Sequence, residues 1–285
     1  MSGTTDTTAF VFAGGGSLGA IQVGMLQALL RAGLQPDFVV GSSVGAINAA
    51  YFAGAPDLDG VARLADLWAH IRRADIFPLT VSSAFRVFRH ADSIVDPGGL
   101  RHLIESNLAF ARLEDSRIPL HVMATDLQGS SVRLSAGAAA DAVLASSAVP
   151  GIFPPVVIGG RPLMDGAIAA NTPLRLAVEL GAKRIIVLPT GYACALKEPP
   201  NGVIAKALHA VTLLIAWQLM HEIDTIPEGI HIHMAPALCP LDVSPFDFTT
   251  SRQLMDRAMR STQKWIDHGG LTRQAHSREL ASHHH

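Results

Sequence analysis

Cysteine is nearly absent from this chain. Cys194 and Cys239 are the only two among 285 residues, too few for a disulfide framework or a cysteine-rich metal site. That scarcity fits a reducing compartment, and the polar stretch from Met1 to Thr8 lacks the charged and apolar regions of a secretion signal, so the expected location is cytoplasmic. Charge is sparse too. With 16% charged residues, a formal net charge of −2 and a pI near 6.7, and with no run of basic residues, the chain carries no electrostatic footprint for nucleic acid. No uninterrupted apolar run reaches the roughly 20 residues of a membrane span. The longest stretch, Val203 to Met220, is broken by Lys206, His209 and Gln218. Its apolar residues surround the helix, which favours a buried helix over one lying on a membrane surface; peripheral membrane contact is left open. Internal repeats and low-complexity segments are missing. His283-His284-His285 resembles a remnant of an affinity tag and is set aside as a source of ligands, which leaves residues 1–282 as one expected domain.

What the chain does have is apolar residues, 49% of the total with a mean hydropathy of +0.30, enough for a sizeable core in a single α/β domain. Ala9 to Ala13 is a short apolar run of the kind buried on both faces of a sheet. It leads into Gly14-Gly15-Gly16-Ser17-Leu18-Gly19, and a helix is expected from Leu18 to Ala32, with Ser17 as N-cap and Gly33-Leu34 as its stop. Phe38-Val39-Val40 is a second strand and Val44 to Ala53 a second helix, so the opening is a right-handed β-α-β-α unit. Leu58 to Ile71 is expected to be helical. Beyond it Phe77-Pro78, Phe85 to Arg89 and Asp96-Pro97-Gly98-Gly99 break the pattern into short pieces; Phe85 and Phe88 either plug the core or, as in many insertions, contact substrate. From Pro119 the rhythm resumes with strands at Pro119 to Ala124 and Ser131 to Leu134 and a helix from Ala138 to Ser147. A hairpin follows over 156–164, then a helix from Pro173, a core strand from Arg184 to Leu188, a late strand from Ile230 to Met234 and a closing helix from Ser251.

The chemistry centres on Gly41-Ser42-Ser43-Val44-Gly45. Between a short apolar strand and a small-residue helix, G-x-S-x-G is a nucleophile elbow: the serine is held in a strained turn and the flanking glycines avoid collision across it. A serine there also lies at a helix N-terminus, where unpaired N–H groups favour developing negative charge. The earlier glycine block satisfies G-x-G-x-x-G as well, but a dinucleotide site needs an acid at the end of the second strand. Here that strand ends in Gly41-Ser42-Ser43. The glycines fit an oxyanion hole better, since consecutive peptides without side chains can turn their N–H groups into a site; Gly19 serves close helix-to-sheet packing. Ser43 requires a base within hydrogen-bond reach. His231 and His233 on the late strand are candidates in a hydrolase triad, and Asp165, at a strand end before Gly166, competes with them, although an isolated Asp-Gly is ordinarily a turn.

Taken together, Gly14 to Gly19, Gly41 to Gly45 and Asp165-Gly166-Ala167 resemble the three signature blocks of patatin-like phospholipases. The similarity extends through Thr125-Asp126-Leu127, Ala145 to Pro155 and Asn171-Thr172-Pro173, and covers about Ala9 to Leu188. The resemblance implies a doubly wound, three-layer α/β/α sandwich with a mostly parallel sheet, and a Ser43–Asp165 dyad without histidine. It also implies an oxyanion hole from the first block, here Gly14, Gly15 and Gly16, to which Val44 N–H is a candidate addition. Gly19, Gly41, Gly45 and Gly166 support these motifs. The implied reaction is hydrolysis of a lipid or small ester through an acyl-enzyme, with no metal or organic cofactor. An acyltransferase using the same serine and a non-catalytic lipid-binding module are the alternatives. One departure bears on substrate. The family commonly has Lys or Arg where this chain has Leu18, so a neutral ester is favoured over an anionic phospholipid. Acyl length, physiological substrate and oligomeric state are not legible in the sequence.

Overall fold

The computed structural model describes residues 6–77, 95–191, 203–241 and 243–277. Its strands are β1 (Thr8–Phe12), β2 (Phe38–Ser42), β3 (Leu120–Asp126), β4 (Ser131–Leu134), β5 (Val156–Ile158), β6 (Arg161–Asp165), β7 (Arg184–Leu188) and β8 (His231–Met234). They form one sheet in the order β5-β6-β3-β2-β1-β7-β8, with β4 added against β3. The centre, from β3 through β2, β1 and β7 to β8, is parallel, and β4, β5 and β6 join in antiparallel fashion. Because parallel strands are covered on both faces, β1 and β2 are buried at every position. Phe10, Phe12 and Val39 enter one buried cluster while Ala9, Val11, Phe38 and Val40 enter the other. Helices α1 (Gly19–Arg31), α2 (Val44–Gly54) and α3 (Leu58–His70) and the Ser251–Asp267 helix contribute to the first cluster; the helices Leu174–Glu179 and Val203–Asp224 contribute to the second. This is the doubly wound, three-layer arrangement expected.

The functional geometry originates in how β3 divides one of its edges. β2 pairs with β3 only as far as Ser42 opposite Met123, and β6 arrives antiparallel with Asp165 opposite Ala124. β4 spans both stretches, from Val122 to Thr125, so it occupies the other edge and β2 and β6 share the first. Two strands thus meet end to end at the Met123–Ala124 step. Ser43 and Asp165 are the residues at their facing ends.

Several expectations need correction. Ser17 does not cap α1; its hydroxyl donates to Ser244 O and its N–H to Pro245 O, which ties the glycine block to a distant loop. Asp96-Pro97-Gly98-Gly99 does not break the chain but starts a helix, Gly98–Asn107, with the Asp96 carboxylate accepting from Gly98 N–H at 2.7 Å. Val203–Asp224 is a helix, but it is not buried all round: Val211, Leu213, Leu214 and Trp217 are exposed while Ala216 and Leu219 face the core. Phe85, Arg86, Phe88, Arg89, Cys194 and the terminal histidines lie outside the described residues. Among the described residues no helix is long and apolar enough to cross a membrane.

Candidate active site

Ser43 is held at φ 54° and ψ −129°, and among the described residues it is the one non-glycine residue with positive φ. Side chains other than glycine avoid this region because Cβ crowds the backbone, and the turn persists because its surroundings leave no other course. A Cβ at Gly41 would lie 2.5 Å from Gly45 O, and one at Gly45 would lie 2.6 Å from Ala13 O. The Ser43 N–H donates to Ser146 Oγ at 2.9 Å, and the Ser146 hydroxyl in turn donates to Met123 O. The side chain of Ser43 is then aimed at one group: its Oγ donates to Asp165 Oδ2 at 2.7 Å.

Asp165 is fixed from every side. Its Oδ1 accepts from Ala167 N–H at 2.8 Å, its N–H donates to Ala148 O, and its carbonyl accepts from Thr125 Oγ1 at 2.8 Å. Burial pushes its carboxyl up to about 6, against the opposing pull of the Ala167 N–H and the Ser43 hydroxyl. A carboxylate in water is too weak a base for a serine proton, and removal from solvent is the physical means of strengthening it. Gly166 is required by the same packing, since a Cβ there would lie 2.7 Å from Ser42 Oγ. The histidines stand elsewhere. His231 pairs with Arg184 at the start of β8, the end of the sheet away from Ser43, and His233 Nδ1 is bonded to Arg273 O at 2.9 Å.

The glycine block is more differentiated than expected. Gly14 N–H donates to Asn171 O at 3.0 Å, and Gly14 O accepts from Thr190 Oγ1 at 2.6 Å, so Gly14 has no N–H to spare for a substrate. Its lack of a side chain is what matters: a Cβ would lie 2.5 Å from Asn171 Oδ1 and 3.1 Å from Ser43 Cβ. By contrast, the N–H groups of Gly15, Gly16 and Val44 meet no acceptor among the described residues. Gly19 brings α1 against α2 and α3, not against the sheet, since a Cβ would lie 2.5 Å from Val44 Cγ2 and 2.8 Å from the Trp68 ring.

Sequence reasoning missed the residues beneath the block. Gln22 in α1 is fully buried, and its amide donates to Ala13 O at 2.8 Å and Leu188 O at 2.9 Å, clasping the ends of β1 and β7 just before Gly14. Its Oε1 accepts from Asn48 Nδ2 at 2.8 Å, and Asn48 Oδ1 accepts from Trp68 Nε1 at 2.8 Å. The available signal was Asn48, the one amide of the small and apolar α2, and Gln22, set among apolar residues in the first turn of α1.

A strained serine between strand and helix, in hydrogen-bond contact with a buried carboxylate, places the molecule among α/β proteins of the nucleophile-elbow class. The family model for patatin-like phospholipase matches residues 10–178, more than half the chain, and the chain belongs to that family. It is 30% identical over 191 residues to patatin-like phospholipase domain-containing protein 7 of Rattus norvegicus, covering 66% of this chain and 14% of the relative. It is 28% identical over 198 residues to neuropathy target esterase sws of Drosophila melanogaster, covering 66% of this chain and 13% of the relative. The chain therefore spans a small fraction of these relatives' length. Among solved structures it overlays on VipD from Legionella pneumophila with a TM-score of 0.49 at 15% identity, covering 93% of this chain and 67% of the other. Human GIVD cytosolic phospholipase A2 in complex with methyl gamma-linolenyl fluorophosphonate gives 0.44 at 12%, covering 94% and 58%. Likenesses this loose carry no argument.

Proposed function

We propose that this lipid acyl hydrolase family member cleaves carboxylic esters through a Ser43–Asp165 dyad and an acyl-enzyme. The observation that carries the reading is the 2.7 Å hydrogen bond from Ser43 Oγ to Asp165 Oδ2, at the junction where β2 and β6 meet. As Oγ attacks the ester carbonyl carbon, its proton passes to Asp165, and the carbonyl oxygen becomes an oxyanion that accepts from Gly15, Gly16 and Val44 N–H. Collapse of this intermediate breaks the bond to the alcohol, which leaves with the proton from Asp165. Water then attacks the acyl-enzyme, gives its proton to Asp165 and releases the acid, and the proton returns to Ser43. Ser146 and Gln22 act as positioning residues, the first holding the Ser43 peptide and the second the start of the glycine block.

A fluorophosphonate probe tests the assignment directly. The wild type is expected to be labelled on the peptide containing Ser43, and Ser43→Ala to lose both labelling and ester hydrolysis, by a factor on the order of a thousand or more. His231→Gln with His233→Gln is expected to keep turnover. An unlabelled wild type, an active Ser43→Ala variant, or a folded but inactive histidine double variant overturns the dyad.

A further inference from the structure

Two peptides of the glycine block, Gly14–Gly15 and Gly15–Gly16, keep an N–H without an acceptor among the described residues. The peptides on either side are tied at both ends. Before them, Ala13 O accepts from Gln22 and Gly14 N–H donates to Asn171 O; after them, Gly16 O accepts from Gly19 N–H and Ser17 N–H donates to Pro245 O. The two free donors belong to peptides held by the carbonyl alone. Gly15 O accepts from Leu18 N–H at 3.3 Å, inside the short turn that leads into α1, whereas Gly14 O accepts from a side chain, the Thr190 hydroxyl, at 2.6 Å.

Thr190 owes its place to the sheet. β1 and β7 are parallel neighbours with Phe12 opposite Leu188, so Gly14 and Thr190, each two residues further on, emerge side by side. Here the strand order passes from β2 on one side of β1 to β7 on the other, and in open α/β sheets such switch points are where ligands meet the carboxyl ends of the strands. Thr190 is buried there. Gly15 is fitted to it, since a Cβ on Gly15 would run into Thr190 Oγ1 and lie 2.6 Å from Thr190 Cβ.

We infer that Thr190 is a positioning residue that turns the Gly14–Gly15 peptide into an oxyanion donor. This role presupposes the Ser43–Asp165 chemistry proposed above. In a trans peptide the C=O and the following N–H point to opposite sides, so the hydroxyl that holds Gly14 O directs Gly15 N–H away from Thr190. The same peptide begins beside the nucleophile, where a Cβ on Gly14 would lie 3.1 Å from Ser43 Cβ. Its rotation changes only ψ of Gly14 and φ of Gly15, and neither residue has a Cβ to oppose the change. The hydroxyl supplies the preference that the glycines lack. Turned over, the peptide would present a carbonyl oxygen to the developing oxyanion, and a donor would be replaced by a repulsive partner. Thr190 stands beyond residues 10–178, the span matched by the family model, so its role is assigned from the geometry of this chain.

The test uses the full chain with p-nitrophenyl butyrate and an alkyl trifluoromethyl ketone, in the wild type, Thr190→Val, Thr190→Ser and Ser43→Ala. The ketone probes the hole reversibly: Ser43 Oγ bonds to its carbonyl carbon, the proton passes to Asp165 and the carbonyl oxygen becomes the oxyanion. Thr190→Val keeps the shape and removes the donor. It is expected to lower kcat by on the order of a hundredfold, as loss of one oxyanion donor does, and to weaken the ketone by a similar factor. KM should move by less than about threefold, and the pH dependence of kcat/KM should keep its midpoint, because the dyad is untouched. Thr190→Ser restores the hydroxyl and should recover kcat to within about fivefold of the wild type. A folded Thr190→Val with wild-type kcat and ketone affinity overturns the assignment, as does a Thr190→Ser as impaired as the valine variant, which would leave Thr190 a packing role only. Should Thr190→Val fail to fold, Thr190→Ala takes its place and the same contrast with Thr190→Ser decides. Ser43→Ala is expected to lose both turnover and ketone binding. If it keeps either, the dyad itself is refuted and the role of Thr190 falls with it; an inactive Ser43→Ala beside an unimpaired Thr190→Val refutes Thr190 alone.

Discussion

Asp165 concentrates the conflict between stability and chemistry. Its carboxyl is raised from 3.8 to about 6 by burial, so between roughly pH 4 and 6 the folded chain binds more protons at this site than the unfolded chain does. Stability therefore falls as pH rises through that window, and the cost remains above it, where the proposed base would be ionised. Asp165→Asn keeps an acceptor for Ala167 N–H and removes the buried charge. It is expected to raise unfolding free energy by on the order of 2 to 3 kcal/mol at pH 8 and to change it little at pH 4, as read by urea denaturation at both pH values. The same variant should be inactive, and wild-type kcat/KM should climb with pH through about 6 and then level. A flat profile from pH 4 to 8 would remove Asp165 as the base. From the residues alone, Asp165-Gly166 was indistinguishable from a turn, because its partner stands 122 positions away and no local pattern encodes that separation. Resemblance to the family supplied what spacing could not. The commitment of Gly14 N–H to Asn171 O was likewise invisible, since both glycine conformation and the bonding of a loop depend on what packs above it.

At the scale of elements, strands and helices of the central sheet were legible because each is a short apolar run closed by glycine or proline, a signal that survives without knowledge of neighbours. The failures share a cause. Val203–Asp224 is apolar around much of its circumference, so periodicity could not say which face the core would take, and burial was the wrong choice for Leu214 and Trp217. Asp96-Pro97-Gly98-Gly99 has the composition of a loop, yet an Asp side chain that satisfies Gly98 N–H starts a helix as well as it makes a turn. Polar residues inside helices were passed over for the same reason, and they hold the site. Gln22→Leu keeps approximate volume but leaves Ala13 O without its side-chain donor and removes one bond each from Leu188 O, which keeps the Ala13 N–H, and from the Asn48 amide, which keeps Gly19 O. A loss of about 2 to 4 kcal/mol is expected from the urea midpoint. If Gln22 positions the glycine block, kcat falls as well in conditions where the variant stays folded, whereas KM for a small ester moves little. A stability loss with unchanged kcat would reduce Gln22 to a packing role.

For the whole molecule, the end-to-end meeting of β2 and β6 on one edge of β3 brings Ser43 against Asp165, and on the proposed mechanism the charge around that junction selects the substrate. At the position where the family commonly carries a cation, Leu18 is half-buried against the core. Of the arginines on β4 and β6, Arg161 is paired with Asp126 at 3.1 Å, and Arg133 is exposed. On the proposed mechanism an anionic headgroup at the glycine block would meet the apolar Leu18 side chain where a cation would pair with it, while an acyl chain or neutral headgroup would give up no hydration of charge there. We expect kcat/KM to be higher for a neutral ester than for an anionic phospholipid of matched acyl length. Leu18→Arg places a guanidinium beside the loop, at a cost in local packing. Since a charge-assisted hydrogen bond in a partly dry site is worth about 1.5 to 3 kcal/mol, the variant should shift the neutral-to-anionic ratio by about tenfold or more toward the anion. The ratio is the informative quantity, because packing damage lowers both substrates together and leaves it unmoved. A wild-type preference for the anionic phospholipid, or a ratio unaltered in a folded Leu18→Arg, refutes the assignment of selectivity to this position.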